Sequence, residues 1–249
     1  MRRLPQRTRK EKQMNSKKPL GRKAYGSIPH LPNSRMGPGD HKCHEGQERI
    51  ATVKSRNKHD VIIVQEKLDG SNVAVALKDG IILPLSRAGY LANTSHYRQH
   101  LMFGNWVYEN EESFRNVLNE GEQISGEWLA QAHGTRYELK HEPFVVFDIF
   151  DENRKRYAWN IVLEKLSTNF VTPHCIQCGN PMSVDDAMLL LGKYGYHGAL
   201  DEIEGAVWRI ENRGKFDFMV KYVRPNKVDG LYLEVMEGET YWNWKEKVV

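Results

Sequence analysis

Short apolar, β-branched runs separated by polar turns dominate the first third of the chain. Residues 61–64 (Val-Ile-Ile-Val) form the first, and residues 72–77 and 81–85 follow. Asp79-Gly80 between the last two is a strong hairpin signal, since both residue types accept positive φ at low cost. The pattern predicts an antiparallel meander with Lys67-Leu68-Asp69-Gly70 turning between its first two strands. Over residues 99–120 the apolar positions (Leu101, Val107, Phe114, Val117, Leu118) take a helical spacing, closed by Gly121. Strand patterns resume at 124–130 and 144–150, each carrying one acid among apolar neighbours, Glu127 and Asp148. Helices are predicted at 160–170 and 183–195. Ser183 caps the second, and Asp185 and Asp186 occupy its first turn, where the helix dipole favours negative charge. Strands at 204–210 and 216–224 flank a turn at Gly214 and stop at Pro225. Residues 24–47, rich in Gly, Pro, His and Ser, are predicted to be loop.

Composition narrows the class. With 249 residues the chain can bury one large core or two small ones. Its 40% hydrophobic and 27% charged residues fit a soluble protein, and no apolar run approaches the roughly 18 residues of a membrane span. The net charge of +4 is uneven. Residues 1–23 carry ten Lys and Arg (from Arg2 to Lys23) against the single acid Glu11, which predicts a basic, flexible arm with attraction for a phosphate backbone. The arm lacks the apolar core of a secretory signal. Three cysteines are too few for a disulfide framework and suggest a reducing compartment, the cytoplasm by default. His41, Cys43 and His44 have metal-ligand side chains, and Cys175 and Cys178 in a CxxC turn would complete a zinc site with them. Only one such pair exists, so the plainer reading is loop histidines and incidental thiols.

The candidate chemistry lies in the polar residues that interrupt the strands. In chain order these are Lys67, Arg87, Glu127, Phe147-Asp148, Glu204 and Lys221, each on or beside a short strand. A lysine at a strand exit, followed by Asp-Gly, presents one amine that can act as a nucleophile. A guanidinium such as Arg87 offers paired hydrogen bonds to phosphate or ribose oxygens. Asp148 reads equally well as a structural hydrogen-bond acceptor.

This order, with the flanks KLDGSN, SRAG, GEW, VVFDI, EGAV and MVK, resembles the covalent nucleotidyltransferase superfamily of polynucleotide ligases and RNA capping enzymes. Within it the chain is most similar to the phage RNA ligase 2 family, over residues 61–224. The resemblance implies an α+β nucleotidyltransferase (ATP-grasp-like ligase) domain of antiparallel sheets flanked by helices, spanning residues 24–249. It implies that Lys67 attacks the α-phosphate of ATP to form lysyl-AMP. That attack needs a neutral amine, so nearby positive charge and partial desolvation are expected to lower its pKa. Asn72 then corresponds to the residue that places the AMP phosphate and its metal-bound water, and Glu66 to a position that packs the base, mostly through backbone. Arg87 matches the motif Ia arginine at the ribose and phosphate, Glu127 the motif III acid at the ribose hydroxyls, and Phe147 the aromatic stacked on adenine. Glu204 matches the motif IV acid that holds Mg²⁺ (or Mn²⁺), and Lys221 the second motif V lysine, on the α-phosphate.

Two departures stand out. Motif V is usually KxK, whereas Met219 stands at its first position here; either Arg224 or Lys215 compensates, or the missing charge slows a step. After residue 224 only 25 residues remain, too few for a C-terminal OB-fold. RNA capture is therefore expected to fall to the basic arm, the 24–47 segment or a protein partner. The reading is an ATP-dependent RNA ligase joining 3′-OH and 5′-phosphate ends, on nicked duplex, free RNA ends or an RNA–DNA hybrid, with no membrane involvement. The alternatives are an ATP-dependent DNA ligase, a capping-like guanylyltransferase, or a non-catalytic nucleic-acid-binding module with the same fold.

Overall fold

Eight strands form two four-stranded antiparallel sheets in a computed structural model that describes residues 18–167, 169–233 and 240–244. The strands are β1 (Asp60–Lys67), β2 (Ser71–Lys78), β3 (Ile81–Ser86), β4 (Gln123–Trp128), β5 (Phe144–Phe150), β6 (Cys175–Gly179), β7 (Gly205–Asn212) and β8 (Lys215–Val223). The first sheet runs β6-β1-β7-β8 and the second β3-β2-β4-β5. Helices α1 (Glu45–Thr52), α2 (Arg98–Glu109), α3 (Glu111–Val117), α4 (Trp159–Leu166) and α5 (Val184–Leu191) flank them. The α+β architecture of antiparallel sheets matches the expectation. No helix among the described residues is long and apolar enough to cross a membrane.

Four local expectations need correction. β1 and β2 do not form a meander, because they belong to different sheets and Leu68-Asp69-Gly70 carries the chain from one to the other. Gly70 permits the crossing: a Cβ there would meet the Trp128 carbonyl oxygen at 2.5 Å. The helical stretch at 99–120 is two helices, since the Asn110 side-chain amide takes the Trp106 carbonyl at 2.8 Å and ends the first. The CxxC lies on edge strand β6, not in a turn. Helix α1 begins at Glu45, inside the predicted 24–47 loop, and runs on to Thr52, where no element was predicted. Its sequence, EGQERIAT, buries only Ala51 and so carries no apolar period.

Strand alternation sorts residues onto two faces of each sheet. In the first sheet Ile62, Val64, Trp208, Ile210 and Val220 pack beneath α1 and α5 with Ala51, Ala187 and Leu191. In the second, Val73, Val75, Ile124, Trp128, Phe144 and Val146 pack against Phe103, Trp106 and Phe114 of α2 and α3 and Trp159 and Val162 of α4. The aromatic run near the C-terminus joins this second core: the Trp244 ring lies 5.9 Å from that of Trp128, and the Asn243 side chain donates to the Leu129 carbonyl. The alternate faces therefore carry Gln65, Lys67, Arg209, Met219 and Lys221 on one sheet and Asn72, Ser125, Glu127 and Asp148 on the other.

Behind this polar interface the sheets are joined by charge. Asp148 of β5 and Arg209 of β7, both 0% exposed, pair at 2.6 Å. Arg209 also bonds Glu211 at 2.7 Å and donates to the Tyr157 carbonyl, while Arg156 and the Tyr25 hydroxyl donate to Asp148. Removing one partner of such a pair leaves a buried charge uncompensated. Asp148→Ala is therefore expected to lower the unfolding free energy by about 3–5 kcal/mol, whereas the double substitution Asp148→Leu/Arg209→Met costs clearly less. Urea denaturation midpoints of the two variants decide it, and equal losses would refute the pairing argument.

Candidate active site

Where the sheets face each other they enclose a cavity of about 820 Å³. Its wall includes Glu66, Lys67, Asn72, Arg87, Glu127, Phe147, Glu204 and Lys221, so all eight residues singled out from sequence meet in one place. Strand register explains how. Lys67, the last residue of β1, lies opposite Gly205, the first of β7, which sets Glu204 beside it. The Lys67 amine lies 2.6 Å from Glu204 Oε2. Only glycine fits next to Glu204, because a Cβ on Gly205 would meet the Tyr222 carbonyl oxygen at 1.9 Å. In the other sheet Asn72 lies opposite Glu127, whose carboxylate accepts the Gly70 N–H at 3.0 Å. β8 contributes Met219 and Lys221 two residues apart, hence on one face.

The electrostatics depart from the sequence expectation at Lys67. Burial pulls its pKa down, but the carboxylates of Glu204 and Glu127 outweigh burial and hold it above the ordinary lysine value. The expected lowering by nearby positive charge falls instead on Lys221, which burial depresses first and the Lys67 charge next. Burial, with the neighbouring charge of Glu204, pushes the Glu127 carboxyl up to about 7 against the pull of Lys67. Glu204 is likewise raised, by burial and then by Asp69, against the opposing pull of Lys67. The amine is thus an ammonium caged by acids, and it becomes nucleophilic only when their charge is compensated.

Two buried polar atoms on the cavity face have no hydrogen-bond partner, Gln65 Nε2 and Asn72 Oδ1, while the Glu66 carboxyl lies on the other face of β1 against Gly195 and Tyr196. Buried polar atoms are nearly always paired, so two orphans on one cavity wall mark a place for a polar ligand. Phe147 is the one residue of β5 that is not fully buried, and the ring of Tyr25 meets it edge-on at 5.1 Å. A flat apolar face is therefore available beside the orphans. Arg87 is exposed at the rim; its backbone N–H donates to the Asn72 carbonyl and its guanidinium to the Gly26 carbonyl at 3.4 Å.

The neighbourhood of Met219 settles which of the proposed substitutes for the missing lysine reach the cavity. Neither Arg224 nor Lys215 lines it. Arg224 is bound to the Ile203 and Glu202 carbonyls, and Lys215 stands at the far end of β8 opposite Asn212. Met219 faces the Tyr25 hydroxyl instead, with sulfur and oxygen 3.9 Å apart. The 24–47 segment does take part in the site. Pro29 and Leu31 bond the backbone of Lys221, and Asp40 of the same segment approaches the Lys221 amine at 3.8 Å. Residues 1–17 of the basic arm lie outside the described residues.

No group of three or more His, Cys, Asp or Glu side chains among the described residues converges to hold a metal, so His41, Cys43, His44, Cys175 and Cys178 do not assemble a zinc site. Mg²⁺ keeps most of its waters and takes one or two carboxylates with a ligand's phosphate oxygens, and Glu204 is a cavity carboxylate of the kind that would serve it. Sequence reasoning missed Gln65, Tyr25, Asp40, His100 and His133 as cavity residues. Tyr25 and Asp40 lie in a Gly/Pro-rich stretch with no strand or helix period. Asp69 was visible in the motif, but its partners were not: it accepts the Gly134 N–H at 2.7 Å and pairs with the buried Lys227.

Glu66 gives a pH test. The residue is 2% exposed, and burial pushes its pKa up to about 7, partly offset by the Tyr196 N–H on Oε2. A carboxyl whose folded pKa lies above its unfolded value contributes stability at low pH and loses it as pH rises, here from 4.5 to about 7. Glu66→Gln removes that loss. Its stability relative to the unsubstituted protein is expected to rise by up to about 3 kcal/mol between about pH 4.5 and about pH 8. A difference in melting temperature that stays constant across this range would contradict a raised Glu66.

Among solved structures the fold is similar to Naegleria gruberi RNA ligase. A substituted apo form gives a TM-score of 0.50 at 17% identity, covering 80% of this chain and 56% of that one. A substituted form with ATP and Mn gives 0.50 at 18%, covering 80% and 61%. The form with PPi gives 0.50 at 18%, covering 81% and 59%. At these identities the likeness is one of fold, and the chain spans less than two thirds of the length of the solved ligases it matches. No curated protein matches by sequence. The family model for RNA ligase matches residues 60–223, from the first residue of β1 to the last of β8, and the chain belongs to the RNA ligase family.

Proposed function

We propose that the chain is an ATP-dependent RNA ligase that works through a lysyl-AMP. The observation that carries this reading is the Lys67–Glu204 contact at 2.6 Å inside a cavity walled by Asn72, Arg87, Glu127, Phe147 and Lys221. Naegleria gruberi RNA ligase has been solved with ATP and Mn and with PPi, which supports ATP and a divalent cation as the cofactors.

In this reading Phe147 takes the adenine face, and the orphaned Nε2 of Gln65 and the backbone at Glu66 take its edge. Glu127 accepts ribose hydroxyls. Lys221 and Arg87 hold the α-phosphate, and Asn72 Oδ1 bonds the water beside it. Glu204 would hold Mg²⁺ or Mn²⁺, whose charge, when bound, neutralises that carboxylate and the phosphates. Lys67, released from its counter-charge, gives up a proton to water; its nitrogen bonds to the α-phosphorus as the bond to the bridging oxygen breaks, and pyrophosphate leaves. AMP then passes from Lys67 to the 5′-phosphate of RNA. A 3′-OH attacks that phosphate, forming the phosphodiester and expelling AMP. The acids around Lys67 keep the resting amine protonated and so protect it from unproductive reaction.

The protein incubated with α-labelled ATP and Mg²⁺ is expected to take up covalent label, with α-labelled GTP and labelled NAD giving little. Lys67→Ala should abolish the label. Glu204→Ala should reduce it by about 100-fold or more, the scale expected when a group acting at the developing charge is lost. Label that survives Lys67→Ala sinks the assignment. GMP label would point to a guanylyltransferase, and joining of nicked DNA in preference to RNA would point to a DNA ligase.

A further inference from the structure

One wall of the cavity is left over once a nucleotide's contacts are assigned. It begins at Ser71, immediately before Asn72, and continues through Ser95 and His100 to His133. The His100 ring is held at both ends by hydroxyls: Nε2 lies 3.1 Å from Ser71 Oγ and Nδ1 lies 2.8 Å from Ser95 Oγ. Ser95 Oγ also accepts the Tyr97 N–H at 3.2 Å. Beside it, His133 Nε2 pairs with the buried Gln99 side-chain oxygen at 3.1 Å.

The proton count of this relay decides what it can bind. A neutral imidazole donates through one nitrogen and accepts through the other. The hydroxyl that accepts the ring N–H keeps its own proton and can donate it into the cavity; the other spends its proton on the ring. When the ring is protonated both hydroxyls accept, and both O–H groups are free to donate. A ligand made only of acceptor oxygens is therefore served best by the imidazolium. The groups facing the relay favour that response. His100 faces His133 and, edge-on at 5.7 Å, the Tyr97 ring, and His133 faces Asp69, Lys227 and Lys67. Burial and the neighbouring imidazole keep His100 below the ordinary histidine range, so a proton is taken up when an anion arrives.

We propose that Ser71, His100 and Ser95 form a subsite for a terminal phosphate, which binds with uptake of a proton by His100. The inference rests on the nucleotidyl-transfer reading for the origin of that phosphate, which is either the pyrophosphate of ATP or the 5′-phosphate of RNA. Ser71 and Ser95 are the binding residues in this scheme, and His100, whose two ring nitrogens are spent on them, is a positioning residue that sets where their protons point.

Binding to the full chain tests it without any covalent step, so its failure is separable from failure of Lys67 labelling. The probes are inorganic pyrophosphate, a 5′-phosphorylated oligoribonucleotide and the same oligonucleotide with a 5′-OH, titrated into the unsubstituted protein, His100→Ala and Ser71→Ala. At about pH 6 the unsubstituted protein should bind one phosphate-bearing probe about tenfold more tightly than His100→Ala, and the gap should close to under about threefold near pH 8. The ligand's own titration cancels in this comparison. Ser71→Ala, which leaves the ring in place, should weaken the same probe several-fold, and the 5′-OH oligonucleotide should not discriminate among the three proteins. A gap seen only with pyrophosphate names the leaving group as occupant; one seen only with the 5′-phosphorylated RNA names the acceptor end. Unchanged affinity in both variants, or a loss in His100→Ala that is equal at both pH values, overturns the proposal, the latter being the mark of a merely structural histidine.

Discussion

The fully buried pair of Asp148 and Arg209 sets the relation between the two sheets. No backbone ladder joins them, since each sheet satisfies its own strands and covers its outer face with its own helices. The chain passes between them twice, at Leu68-Asp69-Gly70 and between β5 and β6; Ile63 of β1 and Val145 of β5 each pack into the other sheet's apolar core, and this cluster of charge, to which Arg156, Glu211 and Tyr25 contribute, bridges them behind the cavity. An ion pair in the interior is costly to desolvate and gives little net stability, but it accepts few alternative geometries. It therefore suits a place where two sheets must keep a fixed opening. Apolar packing there would close the cleft; the charged cluster at its back leaves the mouth to Lys67, Glu127 and Glu204.

From that opening the reactivity of the candidate nucleophile follows. The ladder fixes Lys67 opposite Gly205, so the backbone register itself brings Glu204 to the amine. A lysine in such a pair is a poor nucleophile at neutral pH, because the carboxylate stabilises the ammonium more than burial destabilises it. Activation then depends on whatever neutralises Glu204. In the proposed reaction this couples the chemistry to the arrival of the nucleotide and its cation, and the same contact that holds the amine in place at rest restrains it.

Much of this was legible in the chain. The order of Lys67, Arg87, Glu127, Phe147, Glu204 and Lys221, with their flanks, resembles that of the nucleotidyltransferases, and that resemblance implied one shared site. Short apolar runs bounded by turn signals located seven of the eight strands to within a few residues. The eighth, β6, escaped because Cys-Ile-Gln-Cys-Gly lies at a sheet edge, partly exposed, and carries no apolar alternation. What pattern cannot show is which strands pair. Val61 to Val64 and the run after Asn72 look like neighbours in a meander, and only the close approach of Gly70 to Trp128 reveals that the chain changes sheets. The charge state of Lys67 was misread for a related reason: the acids that govern it lie 60 and 137 residues away in sequence, at Glu127 and Glu204.

The cavity's charge count gives the Met219 substitution its physical meaning. The cavity face presents four carboxylates, at Asp40, Asp69, Glu127 and Glu204, against three basic side chains, at Lys67, Arg87 and Lys221, the Glu66 carboxyl lying on the other face of β1. Lys227 balances Asp69 from below, and Asp40 stands against Lys221. A polyphosphate entering this space meets no excess of positive charge, unlike in a site with a lysine at position 219. Two features relieve it. Glu127, pushed up to about 7, can hold a proton near neutrality and bind a ligand as a neutral acid. Glu204 remains the carboxylate with a lysine partner inside the cavity, and a divalent cation there would offset more charge than the missing lysine supplied. The departure at Met219 therefore does not argue against catalysis by itself. In the proposed reaction it would shift the compensation of phosphate charge from a fixed side chain to a bound cation and to protons, and the site's affinity would then depend on pH and on metal more steeply than that of a two-lysine site.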